Sequence, residues 1–135
     1  MSKFKQLFEP RSIAVVGVSD DAARPGSQAV RALLSNGYQG KVYPINPKYE
    51  QFESLVCYPS VSAITEPVDV VVIGVPAKAV LPVLEECATK KVPFAVILSG
   101  GFRESGQEGI EREQRMLKIA HEGGLRLIAP NFQVL

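Results

Sequence analysis

Five short runs rich in Val and Ile, spaced along the chain with amphipathic stretches between them, constrain the fold more than any other feature. They are Ser12 to Gly17, Lys41 to Ile45, Val68 to Val75, Pro93 to Leu98 and Leu125 to Ile128. Each is bounded by Gly, Pro or Asn and is too short for a helix, which makes it a strand buried on both faces. Between them lie Ser27 to Ser35, with Ala29, Val30, Leu33 and Leu34; Ala79 to Lys90, with Val80, Val83, Leu84 and Cys87; and Glu108 to Glu122, with Ile110, Met116, Leu117, Ile119 and Ala120. Those spacings gather each apolar set on one helical face. Alternating strands and helices imply right-handed crossovers and a parallel sheet covered on both sides. The expected fold is α/β: a doubly wound, mainly parallel, Rossmann-like sheet.

Between Glu50 and Pro67 the signal weakens. Val56 to Tyr58 suits a short edge element and Val61 to Ile64 a single helical turn, with Pro59 and Pro67 as their bounds. Pro82 is compatible with a regular helix that starts near Val80 or Leu81, where its missing N–H is not needed.

At 135 residues there is room for one domain, expected to span 1–135. The chain stops soon after a strand and a Pro-Asn turn, which suggests the N-terminal part of a longer protein. With 15 Lys and Arg against 14 Asp and Glu, scattered and netting +1, no broad field attracts a polyanion, so nucleic acid is not an expected partner. Cys57 and Cys87 have no metal-ligand spacing and His121 is the sole histidine, which argues against zinc and a disulfide framework and for reduced thiols in a cytoplasmic protein. The start of the chain lacks a signal h-region and cleavage site, and no apolar run reaches transmembrane length. Self-association stays open.

In an open parallel sheet, ligands bind beyond the carboxyl ends of the strands, so the loops there carry the functional reading. The first runs from Gly17, Val18 and Ser19 through Arg24 to Gly26 and Ser27. Gly17 lets backbone approach a ligand, Gly26 and Ser27 open a helix whose free N–H groups and positive dipole end suit phosphate, and Arg24 adds a charge. The bland alternative is an ordinary strand-to-helix loop with a serine N-cap. The nine-residue spacing of Gly17 and Gly26 is not the GxGxxG of a dinucleotide turn. After the second strand the chain reads Asn46, Pro47 and Lys48, where a NAD site wants an acid for the ribose diol; a lysine there suits a phosphorylated ribose, or is simply a solvated lysine on an Asn-Pro turn. After the third strand, Gly74, Val75 and Pro76 offer an apolar wall for an adenine ring, or begin a helix. After the fourth, Ser99, Gly100 and Gly101 can present backbone N–H groups to a pyrophosphate or a pantetheine carbonyl.

No convincing catalyst accompanies this cradle. Gly40-Lys41-Val42 is no P-loop, Ser19 and Ser99 lack the GxSxG elbow, and His121 falls near a helix carboxyl end, where a cation suits the dipole. Glu85-Glu86 and Glu111-Arg112-Glu113 read as solvated helix faces.

Taken together, Leu7-Phe8-Glu9-Pro10-Arg11-Ser12-Ile13-Ala14-Val15-Val16-Gly17-Val18-Ser19 and Gly37-Tyr38-Gln39-Gly40-Lys41-Val42-Tyr43-Pro44-Ile45-Asn46-Pro47-Lys48 resemble the coenzyme A-binding domain of NDP-forming acyl-CoA synthetases, which the succinyl-CoA synthetase alpha subunit shares. Val68-Asp69, Gly74-Val75-Pro76-Ala77, Ser99-Gly100-Gly101-Phe102-Arg103-Glu104 and Arg126-Leu127-Ile128-Ala129-Pro130-Asn131 continue the likeness in order. Ala129 replaces the family's usual Gly, and Phe132-Gln133 its Cys or Ser plus Gly. The resemblance implies CoA or acyl-CoA as cofactor. It places the phosphates at Gly17 to Ser19 and Gly26, the ribose 3′-phosphate or adenine side at Lys48, and the nucleotide and pantetheine path along Pro76, Ser99 and Gly100. It also implies catalytic partners absent from this chain, either the ligase and ATP-grasp domains of a synthetase that works through a phosphohistidine, or an acyltransferase domain. His121 matches no catalytic position of the family. An NAD(P)-binding module of a dehydrogenase or redox sensor, and a stand-alone CoA-sensing protein, are the rival functions.

Overall fold

In the computed structural model, residues 5–99 and 105–128 are described. Strands β1 (Ser12–Val16), β2 (Lys41–Ile45), β5 (Val70–Ile73), β6 (Phe94–Ile97) and β7 (Arg126–Ile128) form one sheet in the order β2-β1-β5-β6-β7. Every pairing in it is parallel. The remaining strands, β3 (Gln51–Phe52) and β4 (Leu55–Val56), make a small antiparallel hairpin. Helices α1 (Lys5–Phe8), α2 (Pro25–Ser35), α3 (Ala77–Lys90) and α4 (Gln107–Gly123) and a 3-10 turn at Val61–Ala63 complete the described elements. The doubly wound fold expected from the strand-helix alternation is the one observed.

Successive residues of β1 serve opposite faces. Ile13 and Val15 join Val30 of α2, Phe52, Val70 and Phe94 in one core cluster. Ala14 and Val16 join Leu84 of α3 and Met116 and Ala120 of α4 in the other. A strand whose five residues are all buried can only be apolar or hydrogen-bonded throughout, and β1 is Ser-Ile-Ala-Val-Val.

After β2 the chain crosses back over β1 to lay β5 on its other side. The order of winding reverses between β1 and β5, and a crevice opens at the carboxyl ends of those strands. The opposite end is closed by polar side chains. Asp69, 4% exposed, accepts from the Arg11 backbone N–H at 2.8 Å and from Gln6 Nε2 at 3.1 Å, and the Arg11 guanidinium lies 3.7 Å away. Ser12 Oγ donates to the Pro67 carbonyl at 3.1 Å and accepts from the Asp69 N–H at 3.2 Å. These bonds fix α1 and the starts of β1 and β5 to one another.

Strand β2 is an edge, and its sequence limits further pairing. The Lys41 N–H turns inward to the Arg11 carbonyl, so the main-chain groups of the alternating Val42 and Pro44 point away from β1. Pro44 has no N–H to offer, and its carbonyl already accepts from the Tyr58 N–H at 2.9 Å. This is a short parallel bridge from Tyr58 to Ile45, near the edge element expected at Val56 to Tyr58.

One expectation is corrected. Helix α3 begins at Ala77, not near Val80, so Pro82 stands inside it. A proline there removes one i to i−4 bond. The position is tolerated because Pro82 and Lys78, whose carbonyl loses that bond, are both exposed. Both α3 and α4 end in a left-handed residue, Lys91 at φ 63° and Gly124 at φ 67°.

Candidate functional site

The cleft at the reversal point is built on three glycines in mutual contact. Gly17 leaves β1 with φ at 101°, a region that favours glycine, and a Cβ there would sit 2.4 Å from the Gly74 carbonyl oxygen. A Cβ on Gly26 would meet the Gly17 carbonyl carbon at 2.8 Å, and one on Gly74 the Gly26 nitrogen at 2.9 Å. Three backbone segments, the exits of β1 and β5 and the start of α2, therefore touch without side chains between them. Nine residues separate Gly17 from Gly26 because the chain makes a small excursion before returning; only in space are the two adjacent.

That excursion is held by its own polar groups. Ser27 is fully buried, and its hydroxyl donates to the Ser19 carbonyl at 2.7 Å and accepts from the Ser19 N–H at 2.9 Å. The hydroxyl is therefore not a helix cap, as an ordinary serine N-cap would be. The N-cap is Arg24, which makes no side-chain cap bond, with Pro25 opening the helix. No capping side chain consumes the first-turn donors of α2. Asp21 caps the turn ahead of it, accepting from Ala23 N–H at 3.0 Å, and its other oxygen lies 4.0 Å from Arg24 Nε.

Asn46 links this loop to the next. Its Nδ2 donates to the Val18 carbonyl at 2.7 Å, and its Oδ1 accepts from the Lys48 N–H at 2.8 Å. The Val18 side chain is fully buried in the core, so this residue faces the cleft with main chain. Tyr49 closes the same side, its hydroxyl accepting from Asp20 N–H at 3.4 Å. The Cys57 thiol donates to the Asn46 carbonyl at 3.7 Å; burial pushes its pKa up, and that of Cys87 up to about 12. Neither thiol is a nucleophile near neutral pH.

A polar cleft of about 370 Å³ results, and Gly17, Val18, Ser19, Arg24, Asn46, Lys48, Val75 and Pro76 all line it. Pro47 lies instead in an adjoining, mostly apolar chamber of about 200 Å³, which shares Gly17, Asn46 and Val75 with the cleft. Gly26 is packed beneath Gly17 and forms no part of either lining. Ser99 reaches the site indirectly, its hydroxyl donating to the Val75 carbonyl. Gly100 lies outside the described residues. Sequence reasoning missed Tyr49, Asp21, Ser60, Val61, Val83 and Glu86 as wall residues; the last four come from the 3-10 turn and α3, and no local pattern announces that they meet.

Among the described residues there is no group of His, Cys, Asp and Glu able to hold a metal ion, and no helix long and apolar enough to cross a membrane. Two cationic side chains and a glycine-floored loop thus border a cleft at the sheet's reversal point, with the start of α2 packed beneath Gly17. These features make the cleft the candidate ligand site of a doubly wound α/β domain.

Comparison with known proteins narrows the class. Residues 11–134 match the model of the CoA binding domain family, and the chain belongs to that family. It is 46% identical over 127 residues to acetate–CoA ligase [ADP-forming] II of Archaeoglobus fulgidus, a match covering 94% of this chain and 19% of that protein. Among solved structures, the dinucleotide forming acetyl-coenzyme A synthetase 1 of Ca. Korarchaeum cryptofilum, in complex with phosphate and ADP, superposes with a TM-score of 0.90 at 46% identity, over 96% of this chain and 27% of that one. A conserved hypothetical protein from Pyrococcus furiosus superposes at 0.71 with 30% identity, over 90% of this chain and 95% of that one. The chain thus spans about a fifth of the ligase it matches and nearly all of a short relative.

Proposed function

We propose that this chain binds coenzyme A or an acyl-CoA, as the CoA-binding domain of an ADP-forming acyl-CoA synthetase. The observation that carries this reading is the position of Lys48. Dinucleotide sites of this fold place a carboxylate at the end of the second strand for the ribose diol. Here the turn offers Asn46, already bonded to the Val18 carbonyl, and Lys48, which no carboxylate among the described residues pairs with. A cation there complements the ribose 3′-phosphate of CoA. The main chain of Gly17 to Ser19, the start of α2 and Arg24 would take the pyrophosphate. Val75, Pro76 and Ser99, with Gly100 after it, would border the path of the pantetheine arm.

In the full enzyme the reaction would convert acyl-CoA, phosphate and ADP to the free acid, CoA and ATP. The cleft contributes binding and orientation of CoA; the acid-base and phosphoryl-transfer groups would come from other domains. This fits the covered share of the ligase relatives. The short Pyrococcus furiosus relative favours a second reading, a free-standing CoA binder that uses the same site.

Calorimetric titration of the purified chain with CoA, acetyl-CoA, dephospho-CoA, NADH and NADPH at one salt concentration tests the proposal. Micromolar CoA binding, about −8 kcal/mol, with a clear loss for dephospho-CoA and none for the nicotinamides, is the expected result. Tight NADPH binding without CoA would move the protein to the redox class.

A further inference from the structure

The apolar chamber beside the phosphate cleft has one charged side chain in its wall. Ile45, Pro59, Val61, Val75 and Val83 supply most of its surface, and Glu86 of α3 stands at its side. At about 200 Å³ it lies below the roughly 300–1,000 Å³ of pockets that take a whole drug-sized ligand, and it opens into the polar cleft through shared walls. Those dimensions and that lining suit one flat ring system attached to a phosphorylated sugar in the cleft.

Glu86 does not swing freely. Its Oε1 accepts both the backbone N–H and the hydroxyl of Ser62, each at 3.0 Å, which fixes the carboxylate against the 3-10 turn. A carboxylate carries about four acceptor positions and no donor. A half-buried acceptor on an apolar wall favours an amino group opposite it and disfavours a carbonyl oxygen there. Ser60, whose hydroxyl belongs to the lining, accepts from the Ala63 N–H at 3.2 Å and keeps its own O–H for donation. An acceptor and a donor together match the N6 amino group and N7 that adenine offers side by side on one edge, where a 6-oxopurine offers two acceptors, O6 and N7.

We propose that Glu86, positioned by Ser62, is the residue that selects the 6-amino group of an adenine base whose N6/N7 edge faces it, and so makes this site prefer adenine over 6-oxopurine nucleotides. The inference rests on the CoA reading above and adds a specificity residue to it. Glu86 acts by contact with the base; Ser62 is a positioning residue.

The test is titration of the chain with CoA and with its deaminated analogue, in which hypoxanthine replaces adenine, for the native protein and for Glu86→Ala, Glu86→Gln and Ser62→Ala. The native protein should prefer CoA by at least about tenfold, because a site built around a donor rejects a ligand that lacks it. Glu86→Ala should bring the two ligands within about twofold of each other. Glu86→Gln, whose amide can donate to the 6-oxo group, should recover binding of the analogue, and Ser62→Ala should narrow the preference while leaving its direction. Should Glu86→Ala fail to fold by circular dichroism, Glu86→Gln decides. Equal binding of both ligands by the native protein, or an undiminished preference in the folded Glu86 variants, would overturn the assignment while leaving CoA binding intact. Absence of binding to either ligand would overturn the CoA reading and this assignment with it.

Discussion

At the amino end of the sheet, the Asp69 carboxylate is 4% exposed and is met by the Arg11 N–H, the Gln6 amide and the Arg11 guanidinium. At the carboxyl end, Arg24 is more than half exposed and lies only at the outer limit of an ion pair with Asp21, while Lys48 is exposed at the end of its turn. The strands joining these two ends are the same, so the difference lies in what the polar groups face. Below, the Asp69 carboxylate and the Ser12 hydroxyl are bonded within the chain, and the result is a closed seam. Above, backbone is brought together by glycines and the cations are left facing a cleft. Buried polar groups satisfied internally contribute to stability; polar groups assembled around space are available to a ligand.

Substitutions that separate stability from binding test this contrast. The largest effect is expected from Gly17→Ala. Its Cβ would overlap the Gly74 carbonyl and its φ is unfavourable for alanine, so thermal unfolding should show a loss of roughly 3 kcal/mol, with CoA binding lost in whatever remains folded. Asp69→Ala should cost nearly as much stability, about 2–3 kcal/mol, because it strands buried donors. Its folded fraction should keep CoA affinity within about twofold, and a larger change would break the division between the two ends. Lys48→Ala reverses the pattern: an unchanged melting temperature, with CoA affinity down about tenfold at low salt and dephospho-CoA affinity nearly unaffected. Equal losses for both ligands would remove the 3′-phosphate role. Asp21→Asn should tighten CoA by about two- to threefold, since it frees Arg24 from a competing carboxylate while the amide oxygen keeps the cap to Ala23; the modest size follows from exposure.

The smallest effect belongs to Lys41 and Glu66, a pair 2.5 Å apart on the exposed edge of the sheet. The hydrogen bond to Lys41 holds the Glu66 carboxyl below its usual range. A carboxyl depressed in the folded state stabilises above its unfolded pKa, and that contribution is lost as pH falls through its folded pKa. Melting curves of Glu66→Gln and the native protein should therefore converge in acid and differ slightly at neutral pH.

The main sheet was legible because its signal is local. Five Val- and Ile-rich runs gave all five strands, and the apolar faces around Val30, Leu84 and Met116 marked the three long helices. The β3–β4 hairpin was not, for a specific reason. Its turn residues Glu53 and Ser54 both adopt positive φ, at 50° and 68°, a conformation usually signalled by Asn-Gly. Helix α1 is only four residues long and is anchored by Gln6 bonding to Asp69, 63 positions away, so no periodicity could reveal it.

The sequence alone determined the order of strands and helices, the strand ends at which a ligand site must fall, and the loop residues Gly17 to Ser19, Arg24, Asn46 and Lys48 that the cleft brings together. It did so because apolar periodicity and the conformational limits of glycine and proline act within a few residues. Only the tertiary structure decided that Ser27 ties down Ser19 instead of capping its helix, that Gly17, Gly26 and Gly74 lie against one another, and that Glu86 reaches Ser62 at the chamber wall. Those are contacts between segments distant in sequence, set by how the layers pack, and packing is a property of the whole core.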